Sequence, residues 1–178
     1  MMLGPRITED DLVISEQTKI RQTVRVIILD EHQHVLMVYS HLFDDYTFPG
    51  GGIKWSETDE AAIRRELKEE LGADDIELIS YVGAMEELRY GLHNQSSIYL
   101  QTSRYYTVNI MTSSTQQLME REQIHGLEPR YLSIDEAIHH NQKVWYDARH
   151  QQRGLKTVLL RENAVLHHIK EILKHEKI

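Results

Sequence analysis

GGIKWSETDEAAIRRELKEELGA runs from Gly51 to Ala73. Glu57 to Leu71 has the composition of a helix, with Ser56 or Thr58 as its N-cap and Gly72 as its C′ residue. At about 100° per residue, Ile63, Leu67 and Leu71 fall on one stripe, which must face a core. Glu66, Glu69 and Glu70 stand at i, i+3 and i+4 and form an adjacent stripe, with Arg64 and Lys68 away from both. Carboxylates that close repel one another, by a few tenths of a kcal/mol, roughly, per i,i+4 pair in water. A hard divalent cation removes that repulsion. Mg²⁺ prefers oxygen ligands, and one or two carboxylates plus substrate phosphates usually hold it. A carboxylate beside such an ion can accept a proton from an attacking water. Ala62 lies near the acidic stripe and leaves room for close approach.

Taken separately, these features have plainer readings. Acidic runs are common on solvated helix faces, and Pro49-Gly50-Gly51-Gly52 on its own is turn chemistry, although its backbone can approach a phosphate closely. Their spacing joins them. Gly51, five residues, Glu57, seven residues, then Arg65-Glu66-Leu67-Lys68-Glu69-Glu70-Leu71-Gly72-Ala73 resembles the box of the Nudix hydrolases. Gly51, Glu57, Arg65, Glu66, Glu69, Glu70 and Gly72 match specified positions, and Leu67 fits an aliphatic one. Ala73 departs weakly, because a larger aliphatic usually ends the box. At about 7 % per fixed residue, such a set arises by chance on the order of once in 10⁸ windows. Tyr46-Thr47-Phe48, read as a short strand stopped by Pro49, also looks like this family.

The resemblance implies an α+β chain with the Nudix fold: an α/β/α sandwich around a mixed β-sheet, here with an added C-terminal helix. It implies Mg²⁺, with Mn²⁺ as a substitute, held by Glu66, Glu69 and Glu70. Arg65 would orient a carboxylate through a pair with Glu57, and Glu70, Glu66, Arg65 and Glu57 would form the catalytic set. Gly51 and Gly52 would shape a loop for metal or phosphate. The expected activity is Mg²⁺-dependent cleavage of a phosphoanhydride in a nucleoside diphosphate linked to another group. The proton acceptor varies across the family, and Glu120, Glu122 and Glu128 are candidates on later segments. Lys54, Arg21 and Arg25 are candidate phosphate contacts, and Phe48, Tyr39 and Tyr99 candidate pocket aromatics. Each of these also reads as an ordinary surface cation or core aromatic. His139-His140 and His167-His168 point about 100° apart on a helix, which suits a shared metal poorly.

The rest of the 178-residue chain reads as one domain, with a core at about 18–142 and a helical extension at about 143–178. Gln22–Leu29 and Val35–Tyr39 suggest a β-hairpin around Asp30-Glu31-His32-Gln33-His34. Ile76–Ala84, Ser97–Ile110 and Tyr131-Leu132 read as strands, and Met111–Gly126 as a long polar connection. Ser133 and Glu136 have capping-box spacing. Leu159–Ile172 places apolar residues at helical intervals, for packing on the domain or on a second subunit.

A net charge of −8 argues against an extended nucleic-acid contact. The absence of cysteine excludes disulfides, thiolate zinc sites and cysteine nucleophiles. That also counts against an isopentenyl diphosphate isomerase, a relative of this fold with a catalytic cysteine. No stretch reaches the roughly 18 apolar residues of a membrane span, and the start lacks a signal-peptide core, so a cytoplasmic protein is expected. A nucleotide-type small molecule is the expected partner, and the resemblance points to a homodimer. The alternative function is a non-catalytic nucleotide-sensing regulator on the same fold. Residues 87–91 lack the proline typical of ADP-ribose pyrophosphatases. Tyr90 falls near the tyrosine spacing of diadenosine polyphosphate hydrolases, so the substrate stays open.

Overall fold

The computed structural model describes residues 1–13, 18–91, 97–114 and 126–175. Its elements are β1 (Ile7–Thr8), β2 (Lys19–Ile27), β3 (Val35–Ser40), β4 (Asp45–Thr47), α1 (Asp59–Leu71), β5 (Ala73–Tyr90), β6 (Ile98–Ser113), β7 (Leu127–Leu132), α2 (Ile134–Val144) and α3 (Val158–His175). One sheet has the order β1-β5-β6-β2, and the other β4-β3-β7. The first sheet is mixed: β1 runs parallel to β5, β5 antiparallel to β6, and β6 parallel to β2. Among the described residues no helix is long and apolar enough to cross a membrane.

The expected β2–β3 hairpin forms only at its tip. The Asp30 N–H donates to the His34 carbonyl at 3.0 Å, and the Leu36 N–H to the Ile28 carbonyl at 2.9 Å. Beyond the Leu29–Val35 bridge the strands part, β2 to β6 and β3 to β4 and β7. Their unbroken apolar runs supply the reason. Strands covered on both faces need not alternate, and such strands are free to belong to different sheets. The β5–β6 hairpin is longer than sequence patterning suggested and carries register shifts between Ala73 and Gly83.

Two apolar layers divide the helices. Ala62, Ile63 and Leu67 of α1 pack with Val24, Val26, Ile28 and Leu36. Ile134, Ala137 and Ile138 of α2 and Val165, Leu166 and Ile169 of α3 pack instead with Ile27, Met37, Phe48 and Tyr105. Helices thus cover opposite faces of the strands, an α+β arrangement of the expected kind. The C-terminal helix packs on this core. Thr58, rather than Ser56, caps α1, accepting from the Ala61 N–H at 3.2 Å, and Gly72 ends it in the left-handed region. Ser133 and Glu136 form the expected capping box.

The apolar pattern of α3 concealed a buried ionic network. Arg161 and Glu162 are both buried, and Arg161 pairs with Glu162 and with Glu87 of β5. Thr157 Oγ1 donates to Glu87 Oε1 at 2.7 Å, and Gln101 Nε2 to Glu87 Oε2 at 2.9 Å. Burial pushes the Glu87 carboxyl up, but Arg161 and Arg89 outweigh it and hold the group below its ordinary range. Removing one partner of such a network strands the others without compensation. Arg161→Met should therefore lower unfolding free energy by about 3–5 kcal/mol, read as the shift in urea midpoint at constant slope.

Candidate active site

Strand β4 runs out through Phe48 and Pro49 into the glycine loop, which lies against residues 22–26 of β2 and the C-terminal half of α1. Backbone bonds fasten it to β2. The Val26 N–H donates to the Pro49 carbonyl at 2.9 Å, Val24 to Gly51 at 3.0 Å, and the Ile53 N–H to Gln22 at 3.0 Å. Arg25 Nη1 donates to the Phe48 and Gly50 carbonyls, both at 2.9 Å. From α1, Glu70 Oε2 accepts the Gly50 N–H at 2.8 Å. From α3, Glu162 Oε2 accepts the Phe48 N–H at 2.9 Å.

Two glycines are required by this proximity. Gly50 has φ +127°, and a Cβ there would stand 2.2 Å from the Val24 carbonyl oxygen. A Cβ on Gly51 would stand 2.5–2.6 Å from the carboxyl atoms of Glu66. The loop backbone thus touches the acidic face of the helix with no side chain between them.

Arg65 locks the second half of the arrangement. Its Nε donates to Glu57 Oε1 at 2.8 Å and its Nη2 to Glu57 Oε2 at 2.9 Å, a two-pronged pair. The same Nη2 reaches the Gly52 carbonyl at 2.9 Å, and Nη1 donates to Glu66 Oε1 at 2.6 Å. The Arg65 bond, reinforced by the Lys54 N–H, outweighs burial and holds the Glu57 carboxyl down at about 2.

A cavity of about 350 Å³ opens on this loop. Gly50, Gly51 and Gly52 form one wall with Glu66 and Glu70. Arg21, Arg25, Lys54 and Arg65 bring positive charge to the same end. The remaining lining comes from Ser40, Phe43, Asp45, Thr47, Leu127, Leu155 and Val158.

The family model described as a NUDIX domain matches residues 19–152. The chain belongs to the Nudix family. Among curated proteins, the RNA pyrophosphohydrolase of a Nitratiruptor species is 36% identical over 70 residues, covering 36% of this chain and 45% of that protein. The 8-oxo-dGTP diphosphatase of Proteus vulgaris is 40% identical over 52 residues, covering 27% of this chain and 46% of that protein. The matched stretches span less than half the length of these curated relatives. A solved structure described as an ADP compounds hydrolase aligns at 18% identity with a TM-score of 0.52, over 88% of this chain and 74% of that one. At that identity the likeness is one of fold.

For this Nudix chain, the donor chemistry at the box fits a hard divalent cation. Carboxylate and carbonyl oxygens are the ligands that Mg²⁺ prefers. Glu66 and Glu70 border the cavity; Glu69 does not, and its Oε2 lies 3.6 Å from Arg65 Nη1. Among the described residues no three His, Asp or Glu side chains are gathered into a ready metal cluster. The expected triad therefore stands as two carboxylates on the cavity and a third turned toward Arg65.

Other expected site residues divide cleanly. Gly51, Gly52, Lys54 and Arg21 line the cavity. Arg25 also lines it, but Nη1 serves the loop carbonyls, and its buried Nε has no hydrogen-bond partner among the described residues. Phe48 is not a pocket aromatic. It is fully buried, its ring edge-to-face with Tyr105 at 5.6 Å, because β4 turns it toward the α2–α3 layer. Tyr39 lies under Arg130, and Tyr99 near Lys19, both away from the cavity lining. Glu128 bonds Arg130 and His41, which hold its carboxyl down at about 2 and make it a poor proton acceptor near neutrality. Glu120 and Glu122 lie outside the described residues.

Sequence reading missed Asp45, Leu155 and Val158. Asp45 sits in a polar turn sequence, and nothing in its neighbours signals burial. Leu155 precedes the helical periodicity of α3.

The Arg65–Glu57 pair has a measurable pH signature. Glu57 ionises near 2 in the fold against an ordinary 4.5, so its contribution is complete above about pH 4.5 and vanishes as pH falls toward 2. Glu57→Gln should lower the urea midpoint at pH 7 and remove this component of the decline between pH 4.5 and 2.

Proposed function

We propose that this Nudix chain is a hydrolase that attacks a phosphoanhydride with water, in a nucleoside diphosphate linked to another group. One observation carries the reading: a single cavity has two box carboxylates and the glycine loop on one wall, with arginine and lysine at the same end. A diphosphate needs both kinds of neighbour. Cations neutralise its oxygens, and carboxylates bring a metal ion and take up protons.

In this reading Glu66 and Glu70 would hold Mg²⁺, with Mn²⁺ as a substitute, and Glu69 would join them on turning away from Arg65. The bound ion would supply a Lewis acid for the phosphate oxygens and make the attacking water more acidic. Arg65 fixes Glu66 through its 2.6 Å bond and, by holding Glu57 and the Gly52 carbonyl, keeps loop and helix in one relation. Glu70 holds the Gly50 N–H, so the loop and the carboxylate move together. Lys54 and Arg21 offer charge to the phosphates. Residues 1–178 are proposed to act as one unit, because Leu155 and Val158 of the extension complete the cavity wall.

The test is a panel of nucleoside di- and triphosphates, dinucleotides and nucleotide sugars with Mg²⁺, reading which phosphorus–oxygen bond breaks. Cleavage should require the metal, and Glu70→Gln should lower kcat by about 10²-fold or more. Metal-dependent binding without any cleavage would instead favour a nucleotide sensor.

A further inference from the structure

The cavity wall also holds a carboxyl that, among the described residues, has no charged partner at bonding distance. Asp45 is 5% exposed. Its one ion contact among the described residues is His150 Nε2 at 3.7 Å, longer than a hydrogen bond. That nitrogen already lies 3.0 Å from the Phe43 carbonyl, to which it donates. Burial keeps the imidazole neutral by pushing its pKa down, against the pull of that bond. Arg149 is committed to Asp147, whose two oxygens it grips at 2.8 and 2.9 Å. Burial, then the nearby Glu162 and Asp44, raise the Asp45 carboxyl to about 7, with Arg149 opposing.

A buried carboxyl is costly unless something donates to it. A ligand in the cavity that Asp45 lines can be that donor. The surroundings say what kind of donor. Phe43, Leu127, Leu155 and Val158 are apolar and suit the faces of a flat ring, with Ser40 and Thr47 as the neutral polar side chains of the same wall. Asp45 offers two acceptor oxygens and, when ionised, no donor. A strand rises about 3.3 Å per residue, so Asp45 is at most about 16 Å along the chain from Gly50, and one cavity joins them.

We propose that Asp45 and these apolar walls form a nucleobase subsite that selects an edge with two adjacent N–H donors, the guanine type, for a nucleotide whose phosphates lie at the glycine loop. The proposal rests on the hydrolase reading only for the direction in which the nucleotide lies. A carboxylate meets the N1–H and 2-amino groups of guanine with both oxygens. Hypoxanthine retains one of those donors, and adenine presents an acceptor beside its amino group.

Binding without turnover tests this separately from hydrolysis. Guanosine 5′-monophosphate, inosine 5′-monophosphate and adenosine 5′-monophosphate are titrated into the full chain by calorimetry at pH 8. Wild type should favour the guanine nucleotide over the other two on the order of 10-fold. Asp45→Asn should erase that preference while leaving the inosine and adenosine affinities within about 3-fold. Because the variant removes an uncompensated buried carboxyl, its Tm without nucleotide should equal or exceed that of wild type. Phe43→Ala should weaken all three nucleotides together. Equal affinities in wild type, a preference that survives Asp45→Asn, a lowered Tm in that variant, or no binding of any of the three would overturn the proposal. Failure of Glu70→Gln to affect cleavage would leave it standing and strike only at the hydrolase reading.

Discussion

Residues 48–52 have to sit close enough to α1 that no side chain separates them, and the structure's other features follow from meeting that demand. The segment is fastened by β2 backbone, by the Arg25 fork, by Glu70 and Arg65 of α1 and by Glu162 of α3. Each fastening uses a polar group that would be expensive to bury alone, and each is satisfied by a loop group with the same need. Gly50 and Gly51 are the residues at which a Cβ would collide with a backbone oxygen or a carboxylate. Their conformational freedom in the unfolded chain is a cost, offset by the bonds that the close approach allows.

The share of this arrangement that was legible beforehand is the share set by local geometry. Helix periodicity alone places Ile63 and Leu67 in the core and Glu66 and Glu70 on an adjoining stripe, and both are found there. The Arg65–Glu57 pair was expected from resemblance, and it forms with two hydrogen bonds. Convergence of Glu69 was the step that helix geometry does not secure. It stands about 100° from Glu70, and Arg65, one turn earlier, draws it aside. The β2–β3 pairing failed for a related reason. A turn sequence determines its own few residues, whereas strand partners are chosen by which faces the helices cover.

Phe48 and Asp45 show the limit most plainly. Both belong to one short stretch, Asp45-Tyr46-Thr47-Phe48. A phenylalanine beside a glycine loop suggests a wall for a base, and an aspartate in a turn suggests solvent. Residue Phe48 instead fills the layer between sheet and α3, while Asp45 borders the cavity nearly buried. The positions of α2 and of α3, the latter more than a hundred residues away, decide this. Helix α3 was legible as an amphipathic stripe, but its Arg161-Glu162 pair lay inside the stripe, where a sequence offers no sign that charges are buried.

The same helix connects stability with the site. Glu162 is shared between Arg161 and the Phe48 N–H, so the buried network that ties α3 to β5 also determines where the loop begins. Its negative charge contributes to the raised Asp45 carboxyl. Among the described residues Asp45 has no cation at bonding distance, which an arrangement chosen only for stability would avoid. The rest of the network is well paired, and it can carry that local cost. Groups held in place before a ligand arrives need no reorganisation when it does, and a rigid loop between two carboxylates and a buried ion network supplies that condition. The buried charges far from the cavity and the glycines beside it are therefore two parts of one constraint: the loop must lie against α1 before any ligand arrives.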